Sequence, residues 1–209
     1  MQPILQSFMP KLSETIQKAQ GLAISNDRKT VLKVLIQYIQ QKVDEGQEVN
    51  LNFICTHNSR RSQFSQVWAK TMAELYRIPV NSYSGGVEVT AFNSRAVDSL
   101  TRSGFKISVK ENGSNPVYSL YFSEESDPII AFSKVFDDPA NDAKQFAAVM
   151  TCDHADENCP YIPGTEQRIP VRYEDPKAFD DTEWESEKYD ERSLQIASEM
   201  LYVFSQIKK

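Results

Sequence analysis

The chain has 209 residues, with 29 acidic against 23 basic side chains and a net charge of −6. An acidic balance of this kind speaks against nucleic acid or an anionic membrane surface as a partner, because both repel it. The length allows one compact domain with a substantial core, and no apolar run approaches the ~20 residues that a membrane span requires.

Residues 4–20 and 26–45 read as amphipathic helices, the second with Asn26 as N-cap and Val31, Leu35, Tyr38, Ile39 and Val43 along one stripe. Lys11 and Glu14 interrupt the apolar core that a secretory signal needs, so a reducing cytoplasm is the expected location. Residues 1–47 are read as a helical extension packed on a catalytic domain formed by residues 48–209, in a monomer or weak dimer.

Residues 49–54 alternate apolar and polar before ending on Phe53-Ile54, as a partly buried strand does. From Ser62 onward Phe64, Val67, Trp68 and Met72 fall at helical spacing. The seam between them is Cys55-Thr56-His57-Asn58-Ser59-Arg60-Arg61-Ser62-Gln63. A short loop running from a strand into a helix N-terminus turns successive N–H groups inward and makes a nest for a tetrahedral oxyanion. Arg61 can fork onto two of its oxygens, and the amides, the helix dipole and the guanidinium together favour the thiolate form of Cys55. The sequence therefore predicts a cysteine nucleophile inside an anion cradle, against the blander reading of a strand-end core cysteine and a surface arginine.

Further on, residues 80–84 read as a strand and 91–103 as a helix; residues 117–122 and 129–136 flank a polar turn and read as an inserted hairpin. A strand over 147–151, a short strand over 168–173 and a final helix over 183–207 complete the pattern. Strands alternating with helices predict an α/β fold with a central parallel four-stranded sheet, helices on both faces and the cradle at the strand C-termini.

Cys152 and Cys159 bracket Asp153-His154-Ala155-Asp156-Glu157-Asn158 and precede Pro160. Three cysteines without a secretory signal do not make a structural disulfide framework. A Cys-x6-Cys spacing is not a usual zinc pattern, and His57 and His154 supply no paired ligands, so no metal or bound cofactor is expected. Cys152, at the end of the apolar run 146–150, also fits a core position; the polar residues before Cys159 fit one less well.

The loop resembles the phosphate-binding loop of the low-molecular-weight protein tyrosine phosphatase superfamily, and most of all that of its thioredoxin-coupled arsenate reductases. The typical reductase loop reads Cys-Thr-Gly-Asn-Ser-Cys-Arg-Ser-Gln, from which this chain departs at His57 and Arg60. The reductases also carry a Cys-x6-Cys-Pro segment that phosphatases of the fold lack. The resemblance implies Cys55 as nucleophile, Arg61 as oxyanion clamp and Ser62 as the hydroxyl that steadies the thiolate. It also implies an oxyanion cradle over Thr56, His57, Asn58, Ser59, Arg60 and Arg61, with Asn58 in a left-handed conformation. Cys152 and Cys159 become the relay that passes oxidation from Cys55 to an external thioredoxin, and arsenate becomes the substrate. Arg60 adds a second positive charge to draw in the anion. Asp175, in an Asp-Pro pair after the last strand, takes the place of the superfamily's general acid, with Glu174 beside it helping to keep one carboxyl protonated. Lys177-Ala178 stand where the phosphatases place two tyrosines, which speaks against an aromatic phosphoester. Some reductases hold potassium through an Asn, a Glu and a Ser; Asn58 and Ser84 match, whereas Gln66 replaces the Glu, leaving at most a weak site. The alternatives are a phosphatase working through a Cys55-phosphate intermediate and a non-enzymatic oxyanion or redox sensor.

Overall fold

The computed structural model describes residues 7–142, 144–158 and 161–209. In chain order the elements are α1 (Pro10–Gln20), α2 (Asn26–Asp44), β1 (Val49–Cys55), α3 (Arg61–Leu75), β2 (Val80–Gly86), α4 (Ser94–Ser103), β3 (Lys106–Glu111), β4 (Val117–Tyr121), β5 (Ile129–Ala131), β6 (Phe146–Met150), α5 (Asp153–Asn158), β7 (Thr165–Pro170) and α6 (Glu185–Ser205). A 3-10 turn, Pro176–Phe179, follows β7. The central sheet is parallel, as the alternation of elements predicts, and its strand order is β2-β1-β6-β7.

β1 is buried along its whole length, where its alternation predicts burial on one face only. Leu51 and Phe53 join Ala147, Val149 and Ile169 in the main core, together with residues of α1, α2, α3, α4 and α6. Ile54 and Cys55 join Ala148, Met150, Cys152 and Ala155 of α5 in a second, smaller cluster. The polar alternates of β1 are tolerated inside because loop carbonyls receive them: Asn50 Nδ2 donates to Gln145 O at 2.9 Å and Asn52 Nδ2 to Phe136 O at 2.9 Å. A buried amide with such a partner avoids the desolvation cost of an orphan.

The inserted segment is a three-stranded antiparallel sheet, β3-β4-β5, rather than a hairpin. β3 has almost no buried residue, so its sequence lacks the apolar period that announces a strand. Residues beyond β5 leave that sheet and tie to the end of β2: Gly86 N donates to Lys134 O at 2.8 Å and Phe136 N to Gly86 O at 3.0 Å. Helix starts also shift. Ser25, not Asn26, caps α2 by accepting from Arg28 N, and Asn93 caps α4 by accepting from Arg95 N. β7 ends at Pro170, yet Val171 N and Tyr173 N still donate to Met150 O and Thr151 O.

The two N-terminal helices bury Leu12, Ile16, Leu32, Leu35 and Ile39 completely in the main core. α1 crosses α4 so closely that a Cβ on Gly104, which has φ +105°, stands 2.4 Å from Leu12 N; only glycine meets both demands. α2 is tied to α6 by a bidentate pair in which Arg28 Nε and Nη2 donate to Glu199 at 2.8 and 2.7 Å. The Arg28 guanidinium also lies 4.7 Å over the Tyr173 ring, and Tyr173 OH donates to Glu199 at 2.8 Å. Glu199 is 2 % exposed, so removing its cation strands a buried carboxylate. Arg28→Ala is expected to lower the unfolding free energy by about 3 kcal/mol in a urea titration with an unchanged m-value. Among the described residues no helix is long and apolar enough to cross a membrane.

Candidate active site

The loop between β1 and α3 spends its carbonyls on the scaffold. Cys55 O accepts from Val87 N, Thr56 O from Glu88 N at 2.8 Å, Ser59 O from Asn93 N at 3.0 Å and Arg60 O from Phe64 N at 2.9 Å. His57 O accepts from Ser133 Oγ at 2.9 Å and Thr90 Oγ1, and Asn58 O accepts from Gln63 Nε2 at 3.0 Å. Among the described residues, no N–H group from residues 56 to 62 donates to another protein atom. With every carbonyl turned outward and held, those amides share the inner side of the loop at the head of a 15-residue helix. That is the geometry of an anion nest.

Asn58 makes the turn possible. It sits at φ +46°, a left-handed conformation that Asn accepts more readily than most residues, and it is fully buried. Its orientation is fixed by its partners: Oδ1 accepts from Lys134 N at 3.0 Å and Gln63 Nε2 at 3.1 Å, while Nδ2 donates to Ser62 Oγ at 2.9 Å. Ser62 Oγ in turn lies 3.0 Å from Cys55 Sγ; accepting from Asn58 leaves its own hydrogen to be aimed at the sulfur. Gly86 closes the loop from behind. A Cβ there stands 2.7 Å from Asn58 N and 2.9 Å from Thr56 O. Gly86→Ala is therefore expected to displace the loop and reduce inorganic phosphate binding at least about tenfold by calorimetry, since nest geometry rather than a side chain is lost.

The two loop arginines converge on Asp175. Arg60 Nε donates to Asp175 Oδ1 at 2.8 Å and Arg61 Nη2 lies 2.9 Å from Oδ2. Arg61 Nη1 donates to Tyr173 O at 3.1 Å, and its buried Nε finds no partner among the described residues. Burial pushes the Asp175 carboxyl up, but the guanidiniums of Arg61 and Arg60 outweigh it and hold the group below the ordinary carboxylate range. The sequence-based picture of a carboxyl kept protonated by Glu174 therefore fails. Glu174 is exposed and faces Arg192 at 3.4 Å, so two cations rather than a like charge set the state of Asp175. Arg60 is 8 % exposed and committed to that carboxylate. His57 keeps its side chain half exposed, 3.4 Å from Glu88.

Cys152 lies beside the loop. Thr151 N donates to Ile54 O at 2.7 Å, which brings the end of β6 against the end of β1. Cys152 Sγ, buried, is 3.5 Å from Thr56 Oγ1 and accepts from Ala155 N at 3.4 Å; His154 Nδ1 is 3.3 Å from the same threonine hydroxyl. The α5 segment is strapped to the β7 side by ion pairs, Asp156 with Arg168 at 2.7 Å and Asp153 with Arg172 at 2.8 Å. Cys159 lies outside the described residues. The oxygens expected for potassium are already engaged: Asn58 Oδ1 accepts two N–H groups, and Ser84 Oγ donates at 2.6 Å to Gln66 Oε1. With an amide in place of a carboxylate, this set does not fit the ion. The sequence missed the scaffold donors Ser133, Thr90 and Lys134, because they come from loops whose meeting with the cradle carries no local signal.

No protein-family model matches the chain. It is 30% identical over 125 residues to an arsenate reductase of Staphylococcus aureus strain Newman, covering 59% of this chain and 76% of that protein. Arsenate reductase 1 of Staphylococcus saprophyticus is 28% identical over 124 residues, with the same coverage. Among solved structures, a low molecular weight phosphotyrosine phosphatase from Vibrio cholerae O395 superposes with a TM-score of 0.51 at 13% identity, covering 75% of this chain and 94% of the other. That likeness concerns the fold. With the sequence relatives, the parallel sheet and the amide-lined loop behind Cys55, the chain belongs to the arsenate reductase family of enzymes on the low-molecular-weight phosphatase fold.

Proposed function

We propose that the protein reduces arsenate to arsenite through a relay of its three cysteines, with thioredoxin as the external reductant. The observation that carries this reading is the place of Cys152, buried against the loop and 3.5 Å from the hydroxyl of the residue that follows Cys55. Arsenate sits in the amide nest, with Arg61 on its oxygens. Cys55 sulfur attacks arsenic, and an arsenate oxygen leaves as water. Cys152 sulfur then attacks Cys55 sulfur. The S–As bond breaks with its electron pair going to arsenic, so As(V) becomes As(III), arsenite leaves, and two thiols become the Cys55–Cys152 disulfide. Cys159 attacks Cys152, freeing Cys55 and forming Cys152–Cys159, which the dithiol of thioredoxin reduces.

The same site argues against efficient phosphoester hydrolysis. That reaction gains from a proton delivered to the leaving oxygen, and the guanidiniums of Arg61 and Arg60 draw the Asp175 carboxyl below its ordinary range, which makes it a poorer proton donor. Arg60→Gln removes one of those cations and returns the carboxyl toward its ordinary range. Hydrolysis of para-nitrophenyl phosphate at pH 5 to 6 is expected to rise by roughly tenfold for each unit the pKa recovers, read from the pH–rate profile. The direct test of function is arsenate-dependent NADPH oxidation with thioredoxin and its reductase, beside para-nitrophenyl phosphate hydrolysis on the same sample. Arsenate turnover supports the relay; phosphatase activity alone, surviving loss of Cys152, overturns it.

A further inference from the structure

A further cavity lies away from the cradle. It has a volume of about 280 Å³, and its walls include Val80, Tyr83, Ile130, Phe132, Lys134 and Asn141. None of the residues of the catalytic loop lines it.

Lys134 is its unusual member. The residue is 3 % exposed, and its ammonium lies 4.6 Å over the Phe132 ring. Among the described residues Lys134 enters no ion pair, and the hydrogen bonds it makes there are those of its main-chain N–H and C=O. Burial pushes the ammonium down to about 8 against the pull of Asp138. Buried charges are ordinarily paired, and a ring face alone compensates only a small part of the desolvation. The acid on the cavity wall, Asp127, is exposed and makes no such pair.

Asn141 adds an independent demand. Its Nδ2 donates to Ser84 O at 3.0 Å and Phe136 O at 3.2 Å, which fixes the amide orientation. Its Oδ1 is buried and has no donor among the described residues. The walls also carry the apolar side chains of Val80, Ile129, Ile130 and Phe132, alongside Gln66 and a second lysine, Lys70, which is paired with Glu74 at 2.7 Å.

We infer that this cavity binds a small organic carboxylate with an apolar body, the carboxylate on Lys134 Nζ and a hydroxyl of the ligand donating to Asn141 Oδ1. An inorganic anion satisfies the ammonium but leaves the apolar walls wet, and a neutral aromatic fills the walls but leaves the ammonium unpaired. The site is wired to the cradle by main chain. Lys134 N–H donates to Asn58 Oδ1 and Lys134 C=O accepts from Gly86 N, so an occupant drawn onto Nζ bears on the two residues that shape the oxyanion loop.

The test is a titration of the full chain with 3-hydroxybenzoate, phenol and chloride, followed by calorimetry and by the side-chain Nζ resonances of 15N-lysine-labelled protein. 3-Hydroxybenzoate is expected to bind saturably and to shift the Lys134 resonance, with phenol and chloride weaker by about tenfold or more, as loss of a charged hydrogen bond requires. Lys134→Met and Lys134→Gln identify the resonance and are expected to weaken 3-hydroxybenzoate binding by the same factor. Should neither variant fold, Lys70→Gln identifies the resonance of the other lysine on the cavity wall, and a selective shift confined to that resonance overturns the assignment to Lys134. Equal binding of phenol, equal binding of chloride, or no shift of any lysine resonance each overturns the assignment.

Discussion

Cys152→Ser is expected to release no arsenite at all, whereas Cys159→Ser is expected to release about one arsenite per chain and then stop. The contrast follows from the proposed order of thiol exchange. Without Cys152 nothing attacks the Cys55 sulfur, the S–As bond keeps its electron pair, and arsenic stays pentavalent. Without Cys159 the first disulfide forms, arsenite leaves once, and the chain is trapped with Cys55 oxidised. Quenched-flow arsenite assays and peptide mapping of the Cys55–Cys152 bond distinguish these outcomes. Cys152 is buried, 2 % exposed, so the serine variant also loses some stability, on the order of 1–2 kcal/mol. A urea titration shows whether it remains folded. The exchange requires that Cys152 leave the N–H of Ala155 and the neighbourhood of the Thr56 hydroxyl. The ion pairs of Asp153 and Asp156 with Arg172 and Arg168 hold α5 on the β7 side, and they are solvent-facing in part, which keeps the barrier to that movement modest. A phosphatase working through a Cys55-phosphate predicts the opposite result: both serine variants hydrolyse para-nitrophenyl phosphate as the parent does.

The cradle was legible because it is local. Strand, loop and helix are consecutive, and the resemblance carried by nine positions implied Asn58 at positive φ and Ser62 against Cys55, where both lie. The parallel character of the sheet was legible for a similar reason, since strands alternating with helices are joined by crossovers that keep them parallel. What stayed hidden is non-local. Nothing near Lys134 announces that its main chain supports Asn58 across 76 positions. Asp175 was found by its place after the last strand, but its charge state was misread, because Arg60 and Arg61 approach it from the other end of the fold. β3 escaped notice because an exposed strand has no buried face to imprint a period on the sequence.

Arg61→Lys tests whether the clamp needs a guanidinium or merely a positive charge. Arg61 already uses Nη1 on Tyr173 O and Nη2 beside Asp175 Oδ2, and still has Nε buried without a partner among the described residues. The fork is thus anchored at its far end and keeps a donor for an anion. A lysine offers one ammonium at the end of a flexible stem; it can replace the anchors or face the anion, but its single nitrogen does not span both. The expected result is a fall in kcat/KM for arsenate of roughly 10²–10³, comparable to deleting one preorganised oxyanion donor, with the unfolding midpoint changed little. Arg60→Lys is the internal control. Arg60 donates through Nε to Asp175 and belongs to the anchor, so a lysine there preserves the charge beside the carboxylate and is expected to cost less than about tenfold. If both substitutions cost the same, positive charge alone governs binding, and the positioned fork of Arg61 is not what selects the oxyanion.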